Sequence, residues 1–469
     1  MTCVIVPVYL VAIVLFYILA GDQLHLRSSR GNVKLPPADG WTVELAAGNV
    51  VEQYFEARIE CLQQIDVQWG NFYRPNTGTV MVELILVGEG RVVMSQSFQA
   101  AELTEGAITS LIAEEPIEGL GNTPLLVRIS SPDGQTGSSV APLLSTQTRL
   151  EAGRLYINGA EAEGTLCFAA TGIDYIWTGL HYWTFAGIGL VVLLGALCVI
   201  WYRCRVGKRS YVVEAVAAVR KYDFLIQQLV ARDFKVKYKR SVLGMFWSFL
   251  NPLLMMSVQY VVFSTIFKND VPNFAVYLLI GVVSFNFLSE SCGMALGAIL
   301  GNYSLITKVY VPKYIYPLTR VMSSVVNLSI SLIPLLIMSF LTGVQFRKAT
   351  VLALYFFACL IIFCLGLGLL LSALMVFFRD TQFLWNVFTM MWCYATPIFY
   401  PERILPDTFR FILVFNPLYH FLKNIRMCIL EGLSPEPAVY AQCLMIALGM
   451  VAAGAWVFKK TQDKFVLYL

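Results

Sequence analysis

The pattern of apolar and polar positions divides the chain into apolar runs and one polar stretch. Residues 4–20 and 182–202 are apolar runs, and each approaches the ~20 helical residues that a hydrocarbon core of about 30 Å requires. Between them, residues 41–170 contain short segments in which apolar and polar residues alternate, such as residues 80–86, separated by turns rich in Gly, Asn and Asp. Alternation with such turns predicts strands of a two-sheet β-sandwich between two membrane spans.

Apolar runs return from residue 245 and predict six further spans of bilayer length. The predicted spans are 245–268, 275–300, 318–342, 350–377, 382–400 and 438–458. The predicted fold class is a mainly α-helical membrane protein: a six-span core preceded by two N-terminal spans that flank a β-sandwich.

This pattern gives five predicted segments. They are a transmembrane anchor at 1–20, an extracytoplasmic β-sandwich at 21–180, a second transmembrane helix at 181–203, a cytoplasmic linker with an interfacial helix at 204–244, and the six-span domain at 245–469. The first run is interpreted as a retained anchor because it lacks a basic region before it and a clear small-residue cleavage site after it. A cleaved signal peptide is the alternative.

Composition and charge support a membrane protein and give its orientation. The chain is 57% hydrophobic and 14% charged, with a mean hydropathy of +0.66, which is typical of a chain whose solvent is lipid. The net charge of +4 is small, and Lys and Arg collect beside the spans, above all in residues 203–240. Because positive residues stay on the cytoplasmic side, residues 21–180 are expected outside the cell.

The cysteines favour neither a metal site nor an established disulfide framework. Eleven are spread singly, without the paired spacing of a zinc site, so we expect no metal or organic cofactor in this chain. Cys61 and Cys167 are the two cysteines in the polar stretch. A disulfide between them and two buried free thiols are both open at this point.

Five motifs in the second half of the chain occur in order. They are RDFKVKYKRSVLGMFWSFLNPLL (232–254), NYSLITKVYVPKYIYPL (302–318), FRDTQFLWNVF (378–388), ATPIFYP (395–401) and FNPLYHFLKNIR (415–426). Together they resemble the permease subunit of type-2 ABC exporters for polysaccharides, O-antigens and teichoic acids, over about residues 211–469. Residues 1–210 show only a similarity to jelly-roll carbohydrate-binding modules.

The resemblance implies an interfacial helix at the inner leaflet and a coupling helix that meets an ATP-binding subunit. The interfacial residues are Arg232, Asp233, Lys237, Tyr238 and Arg240, and the coupling residues are Asn302, Leu305, Ile306, Lys308, Tyr310, Pro312 and Lys313. An ordinary basic inner loop is the alternative for the second set. The chain lacks the phosphate-binding loop G-x-x-x-x-G-K-[ST], so the implied partner is a separate ATPase, present in two copies, that binds ATP and Mg.

The resemblance also implies a gate of two short re-entrant helices at about 404–426, with a hairpin on the membrane surface as the alternative. Its candidate residues are Pro397, Pro401, Ile404, Asn416 and Pro417. Candidates for the translocation path, for which lipid contact or helix packing is the alternative, are Tyr260, Phe263, Phe285, Asn286, Glu290, Trp385, Asn386, Trp392 and Tyr394. For Glu290, an acid inside a span, function and structural pairing are equally open.

The sandwich has three possible roles: it binds the exported glycan, docks an enzyme, or acts as a spacer. Trp41, Trp69 and Tyr73 are candidates for stacking on sugars. The predicted protein is a homodimeric, non-enzymatic transport subunit in the bacterial plasma (inner) membrane that exports a lipid-linked polysaccharide. The alternatives are export of another amphiphile, such as a lipid or drug, and a membrane-anchored glycan sensor or scaffold.

Overall fold

The computed structural model describes residues 2–29, 33–56, 59–120, 123–147, 150, 153–206, 217, 219–239, 241–244, 246–267, 273–308, 311–402 and 410–468. The chain divides into two compact units. The membrane unit comprises Met1–Leu24 and His181–Leu469, and the β unit comprises His25–Leu180.

The β unit consists of two sheets in which every strand pair is antiparallel. The strands are β1 Leu26–Ser29, β2 Gly40–Trp41, β3 Val50–Glu56, β4 Cys61–Gly70, β5 Thr79–Leu86, β6 Arg91–Gln99, β7 Ile108–Glu118, β8 Pro124–Ser130, β9 Ala141–Ser145, β10 Arg154–Ile157, β11 Ala160–Ala162, β12 Thr165–Leu166 and β13 Phe168–Tyr175. The seven-stranded sheet has the order β1-β13-β4-β9-β12, with β2 beside β9 and β7 beside β4, and the six-stranded sheet has the order β11-β10-β3-β8-β5-β6.

One hydrophobic core lies between the two sheets. Along β3, every second residue is buried, because alternate side chains of a strand point to opposite faces. Phe55 of the six-stranded sheet meets Phe168 of the seven-stranded sheet edge to face, with ring centroids 5.0 Å apart. This common core makes the β unit a sandwich, as the alternation in the sequence predicts.

Cys61 and Cys167 are both buried free thiols. Cys61 begins β4, whereas Cys167 lies beside Gln68 near the end of that strand, its carbonyl accepting from the Gln68 N–H at 2.9 Å. Seven residues of extended chain span ~23 Å, far beyond the ~7 Å that a disulfide allows between Cα atoms. The two cysteines therefore do not form a disulfide, and burial raises the pKa of the Cys167 thiol to about 12.

The helices, in chain order, are α1 Thr2–Ala20, α2 Trp177–Leu180, α3 Tyr182–Arg205, α4 Asp223–Tyr238, α5 Phe246–Phe267, α6 Phe274–Leu296, α7 Tyr303–Ile306, α8 Ile315–Leu341, α9 Ala353–Phe377, α10 Thr381–Ala395, α11 Arg410–Phe415, α12 Pro417–Arg426, α13 Pro437–Thr461 and α14 Phe465–Tyr468. Six segments of the described chain are long and apolar enough to span a membrane: Tyr182–Arg203, Phe246–Phe263, Phe274–Leu296, Ile315–Leu341, Lys348–Phe377 and Pro437–Lys464.

Two predicted spans are not among these six: the N-terminal run, whose Ile5–Ala20 stretch is a shorter apolar helix, and the fifth run of the six-span domain. The apolar run 382–400 forms α10, a helix of 15 residues that is ~22 Å long at 1.5 Å per residue, less than a hydrocarbon core of ~30 Å. The helix ends before Pro397, whose ring and missing N–H oppose continuation. Hydropathy alone does not register this break.

Helices α6 and α9 form the centre of the membrane unit, with 67% and 61% of their apolar windows buried, whereas the window in α3 is 0% buried. Helix α9 packs against α13 through small residues. A Cβ on Gly454 would lie 2.0 Å from the Gly366 carbonyl oxygen, so the two backbones meet directly, as small residues permit between membrane helices.

Helix α1 is joined to α3 by two tyrosines that cross in opposite directions. The Tyr9 hydroxyl donates to the Ala186 carbonyl at 2.9 Å, and the Tyr182 hydroxyl donates to the Ile13 carbonyl at 2.9 Å. A Cβ at Gly189 would lie 2.3 Å from the Tyr9 hydroxyl, so glycine leaves room for the first contact. The two helices that flank the β unit in sequence are thereby fastened to each other.

Candidate coupling and gate sites

A buried carboxylate joins the interfacial helix α4 to the spanning helix α8. The side chain of Asp233 is 4% exposed and lies 2.9 Å from Arg320 of α8 and 3.2 Å from Arg232 of its own helix. The Ser323 hydroxyl donates to its second oxygen at 3.4 Å. A buried carboxylate is tolerated when cations and hydrogen-bond donors surround it, and this arrangement satisfies that condition.

The same cluster reaches the coupling segment. Arg232 also donates to the Asn302 side-chain oxygen at 3.2 Å, and the Asn302 amide donates to the Ala298 carbonyl at 2.8 Å. Asn302 is buried, so it is held from both sides. We call Arg232, Asp233, Asn302, Arg320 and Ser323 the coupling cluster; it connects α4, the coupling segment and α8.

The coupling segment is shorter than the helix expected over 302–312. Helix α7 is one turn of four residues, in which Leu305 and Ile306 pack on the inner hydrophobic cluster around Tyr316 and Phe465. Tyr303, Ser304, Thr307 and Lys308 are exposed. The outward surface of this segment therefore consists of one aromatic ring, two hydroxyls and one ammonium group.

Two predicted coupling residues have structural contacts instead of a free surface. The Lys313 ammonium donates to the Gln462 carbonyl at 2.6 Å and lies 5.8 Å from the Phe465 ring centroid, so it fastens the C-terminal segment. Pro312 is half-buried and precedes α8. Tyr310 and Arg240 lie outside the described residues, as does the side chain of Tyr238.

Glu290 of α6 is paired with groups from two other helices. One of its oxygens accepts from the Lys237 ammonium of α4 at 2.8 Å and from the Asn327 amide of α8 at 2.6 Å. These groups line a cavity of about 170 Å³ together with Asn286 and Ser248. Pairing is what makes an acid tolerable at a helix within a membrane, and the cavity leaves a path function open for the same residue.

Near the other end of α6, the Arg426 side chain bonds to the non-helical backbone that follows α10. Its guanidinium is buried and donates to the carbonyls of Pro397 at 2.6 Å, Ile398 at 3.0 Å and Tyr277 at 3.2 Å. The guanidinium carbon lies 3.4 Å from the centroid of the Tyr277 ring, in range for a cation–π contact. Among the described residues, no carboxylate forms an ion pair with Arg426.

Tyr277 completes this arrangement by donating to the carbonyl of Tyr400 at 2.8 Å. Non-helical backbone survives at membrane depth only where protein groups satisfy its polar atoms. A Cβ on Gly281 would lie 3.0 Å from the Arg426 Nη2 and 2.9 Å from the Ile398 side chain, so glycine is needed beside the guanidinium. We call Tyr277, Gly281, Arg426 and the 397–400 backbone the carbonyl clamp.

The two short helices of the predicted gate, α11 and α12, meet at Asn416. Its side-chain oxygen caps α12 by accepting from the Leu418 and Tyr419 N–H groups at 3.1 and 3.4 Å, as N-cap residues do. The same oxygen accepts from the Trp392 indole at 2.7 Å, and the Asn416 amide donates to the Thr396 hydroxyl at 2.8 Å. Pro417 is the first residue of α12, and Pro397 and Pro401 are buried. Ile404 lies outside the described residues.

The predicted path residues separate into two groups. Trp385 and Trp392 are 7% and 8% exposed and belong to the hydrophobic core of the membrane unit, which favours helix packing, the alternative to a place on the path. Both rings lie close to the Phe388 ring. Tyr260, Asn386 and Tyr394 are exposed, and Phe263, Phe285 and Asn286 are half-buried. For these six residues the path remains a prediction.

Among the candidate sugar-stacking residues, Trp69 is 0% exposed and its indole donates to the Thr109 hydroxyl at 2.6 Å. The glycan-stacking prediction for Trp69 is therefore wrong, because the residue belongs to the sandwich core. Trp41 and Tyr73 are exposed. In the described part of the chain, no group of three His, Cys, Asp or Glu side chains is placed to hold a metal ion.

Sequence reasoning missed Arg320, Ser323, Tyr277, Gly281 and Arg426. Arg426 ends a motif that was recognised, and a cation inside an apolar segment is itself a signal of a buried partner. The identity of that partner, a carbonyl 29 residues earlier in the chain, follows only from the fold.

These sites lie within a recognised membrane domain. Residues 224–430 match the ABC-2 type transporter family and contain the coupling cluster, the carbonyl clamp and both gate helices. This match supports a type-2 ABC exporter permease, and the chain is a multi-pass protein of the inner membrane.

Three similar proteins are polysaccharide transport proteins by name. The O-antigen export system permease protein RfbA of Myxococcus xanthus is 27% identical over 255 residues, which are 54% of this chain and 98% of that protein. An RfbA of Klebsiella pneumoniae is 28% identical over 212 residues, 45% of this chain and 82% of the relative. The polysialic acid transport protein KpsM of Escherichia coli is 22% identical over 241 residues, 51% of this chain and 93% of the relative.

Proposed function

We propose that this chain is the membrane subunit of an ATP-driven exporter that moves a lipid-linked polysaccharide from the cytoplasm to the outer side of the inner membrane. The export of O-antigen and polysialic acid named for its relatives supports a polysaccharide cargo. Two copies of the chain and two copies of an ATP-binding subunit form the transporter, and the polysaccharide passes between the two permease copies.

The coupling cluster is the observation that carries this proposal. A partner that docks on Tyr303, Ser304, Thr307 and Lys308 moves a surface whose base, Asn302, is tied through Arg232 and Asp233 to Arg320. Because these contacts are short and the carboxylate is buried, displacement of the coupling segment is transmitted to α4 and α8. Packed helices respond to such displacements as rigid bodies.

The Lys237–Glu290–Asn327 contacts extend this connection to α6, the central helix. The other end of α6 carries Tyr277 and Gly281 of the carbonyl clamp. A shift of α6 driven from the cytoplasmic side therefore acts on the segment that holds the short gate helices. In this mechanism, α6 connects the docking surface to the exit.

The β unit is proposed to face the cell exterior and to bind the exported glycan there. The positive residues that follow α3, including Arg203 and Arg205, support this orientation by the positive-inside tendency. Trp41 and Tyr73, the exposed members of the predicted set, support glycan contact.

Depletion of the chain tests the cargo. We expect loss of surface polysaccharide and accumulation of its lipid-linked form in the cytoplasm. Unchanged surface polysaccharide together with altered lipid or drug efflux would assign the exporter to another amphiphile.

Co-purification tests the coupling surface. Lys308→Glu places an acid on the exposed docking turn, and we expect it to reduce the amount of ATP-binding subunit that purifies with the chain. Lys348→Glu, at an exposed lysine before α9, is the matched control. A scaffold without an ATPase partner would show no such subunit in either sample.

A further inference from the structure

The loop between β4 and β5 holds two consecutive non-glycine residues in the left-handed backbone region. Phe72 has φ 56° and Tyr73 has φ 53°, a conformation that bulky side chains seldom adopt and that persists where the surroundings enforce it. The Tyr73 N–H donates to the Asn71 side chain at 3.0 Å, and the Asn76 amide donates to the Asn71 carbonyl at 2.9 Å. The loop is thus bonded to itself across the strained residues.

Two carboxylates, Glu105 and Glu44, anchor this loop to the sandwich. The Asn71 N–H donates to Glu105 at 2.7 Å. Arg74 pairs with Glu44 at 2.5 Å and lies 5.0 Å from the Phe72 ring centroid. The same Glu44 oxygen accepts from the Ser139 N–H at 3.0 Å. The strained loop is therefore rigid before any ligand arrives.

The anchored loop presents aromatic rings beside Trp41 of β2. The Trp41 and Phe72 centroids are 5.7 Å apart with an interplanar angle of 33°, and the Trp41 indole donates to Glu105 at 3.0 Å. A Cβ on Gly70 would lie 2.2 Å from the Trp41 ring, so glycine lets the ring lie flat on the strand. Trp41 is 44% exposed and Tyr73 is 81% exposed.

We propose that Trp41, Phe72 and Tyr73, the aromatic platform, bind an uncharged, hydroxyl-rich segment of the exported glycan; this inference rests on the proposed function. Strain at a rigid loop is a feature of binding sites, and flat rings with polar groups at their edge suit pyranose faces and hydroxyls. Aromatic rings of this type expose on the order of 300 Å² together, well below the ~800 Å² per partner of a stable protein interface.

Charge selects among glycans. Arg74 is neutralised by Glu44, whereas Glu105 keeps a carboxylate at the edge of the platform, bonded to the Trp41 indole and the Asn71 N–H. Like charges repel. A polyanionic chain is therefore disfavoured relative to a neutral one.

The test uses the full chain purified in detergent. The probe is the surface polysaccharide that is present on wild-type cells and lost from depleted cells, extracted from the wild type. We expect Trp41→Ala and Tyr73→Ala each to raise the Kd about tenfold, since each removes one stacking face. Gly70→Ala should have a similar effect by displacing Trp41. Tyr156→Ala, in the tyrosine pair Tyr54–Tyr156 of the six-stranded sheet, is the matched control and should leave the Kd unchanged.

The outcomes separate the two proposals. Depletion that leaves surface polysaccharide intact overturns the proposed function and this inference with it. If the polysaccharide is lost on depletion but its Kd does not respond to Trp41→Ala or Tyr73→Ala, the platform alone is overturned, whatever the effect of Tyr156→Ala. Polysialic acid, as a polyanionic probe, should bind at least tenfold more weakly; equal binding would overturn the assignment to neutral segments. Circular dichroism of each variant monitors its fold.

Discussion

Arginines take part in both the coupling cluster and the carbonyl clamp, but they pair with different groups. In the coupling cluster, two arginines meet the carboxylate of Asp233. In the carbonyl clamp, Arg426 meets three backbone carbonyls and an aromatic face. The first arrangement connects side chains on separate helices, whereas the second repairs a backbone that is not helical.

This difference has a consequence for motion. Side-chain ion pairs can re-form with other partners when helices shift, so the coupling cluster suits a joint that transmits movement. The carbonyls of a broken helix have no alternative donor in lipid. The carbonyl clamp must therefore stay intact through transport, and removing its arginine should damage folding before it damages export.

The largest effect is expected for Arg426→Met. The change leaves three carbonyls without their donor, and we expect it to lower the free energy of unfolding by ~3–5 kcal/mol. Arg426→Lys should recover only part of this loss, because an ammonium does not span three acceptors as a planar guanidinium does. Thermal unfolding of the purified chain measures both. Lys423→Met, on the same helix but half-exposed, is the control, and equal stability of Arg426→Met and wild type would refute the clamp.

Asp233→Asn should have the next largest effect. Both arginines lose a buried charge partner, but Arg232 is 45% exposed, so we expect a loss of about 2–3 kcal/mol, less than for a fully buried pair. ATP hydrolysis should continue while export falls. Asp223→Asn at an exposed position of the same helix is the control. A double-mutant cycle with Arg320→Gln that gives purely additive losses would remove the direct coupling.

Gly281→Ala tests the clamp by crowding instead of by deletion. The added methyl meets Arg426 and Ile398 at 3.0 and 2.9 Å, and overpacking of this kind costs about 1–2 kcal/mol. Gly293→Ala changes the same helix where no atom lies within 4 Å and should be neutral or slightly stabilising. The difference between the melting temperatures of the two variants measures the destabilisation by the methyl group at position 281. Identical values would mean that the carbonyl clamp accommodates the methyl group without cost.

Glu290→Gln should have the smallest effect on stability. The Lys237 and Glu290 side chains are 41% and 30% exposed, so solvent weakens the pair, and we expect a loss of less than about 1 kcal/mol. Because the amide still accepts from Asn327, any larger change should appear in export. If the variant has normal stability and exports polysaccharide at the wild-type level, Glu290 has a structural role only.

Much of the fold follows from local patterns, and the exceptions have physical causes. The long apolar runs predict the membrane helices. The alternation of apolar and polar residues predicts strands such as β3, because every second side chain of a strand faces the core. The fifth run fails as a full span because Pro397 breaks it, and the coupling helix is only one turn. Trp69 belongs to the core because Ile65, Val67 and Trp69 occupy every second position of β4 and share its buried face. This spacing is the signal in the sequence, whereas an aromatic ring by itself fits both a core residue and a sugar-binding residue.

Less of the candidate site than of the fold can be predicted from the sequence. Arg232, Asp233 and Asn302 were predicted from motifs, yet their common partner Arg320 lies 87 positions beyond Asp233 in the chain, and the Arg426 acceptors lie outside its own helix. Flat aromatic rings suit pyranose faces and so make Trp385 and Trp392 candidates for the path, but aromatic residues in spans also pack between helices. Which face of a helix meets protein, and which meets a conduit, depends on neighbours that sequence order does not give.

The crossed tyrosine bonds between α1 and α3 make the β unit an interchangeable module. Its two connections leave helices that are already fastened to each other, and the Myxococcus relative aligns over 98% of its length with only 54% of this chain. Replacing the β unit between Leu24 and His181 with another folded domain should therefore leave the membrane unit assembled.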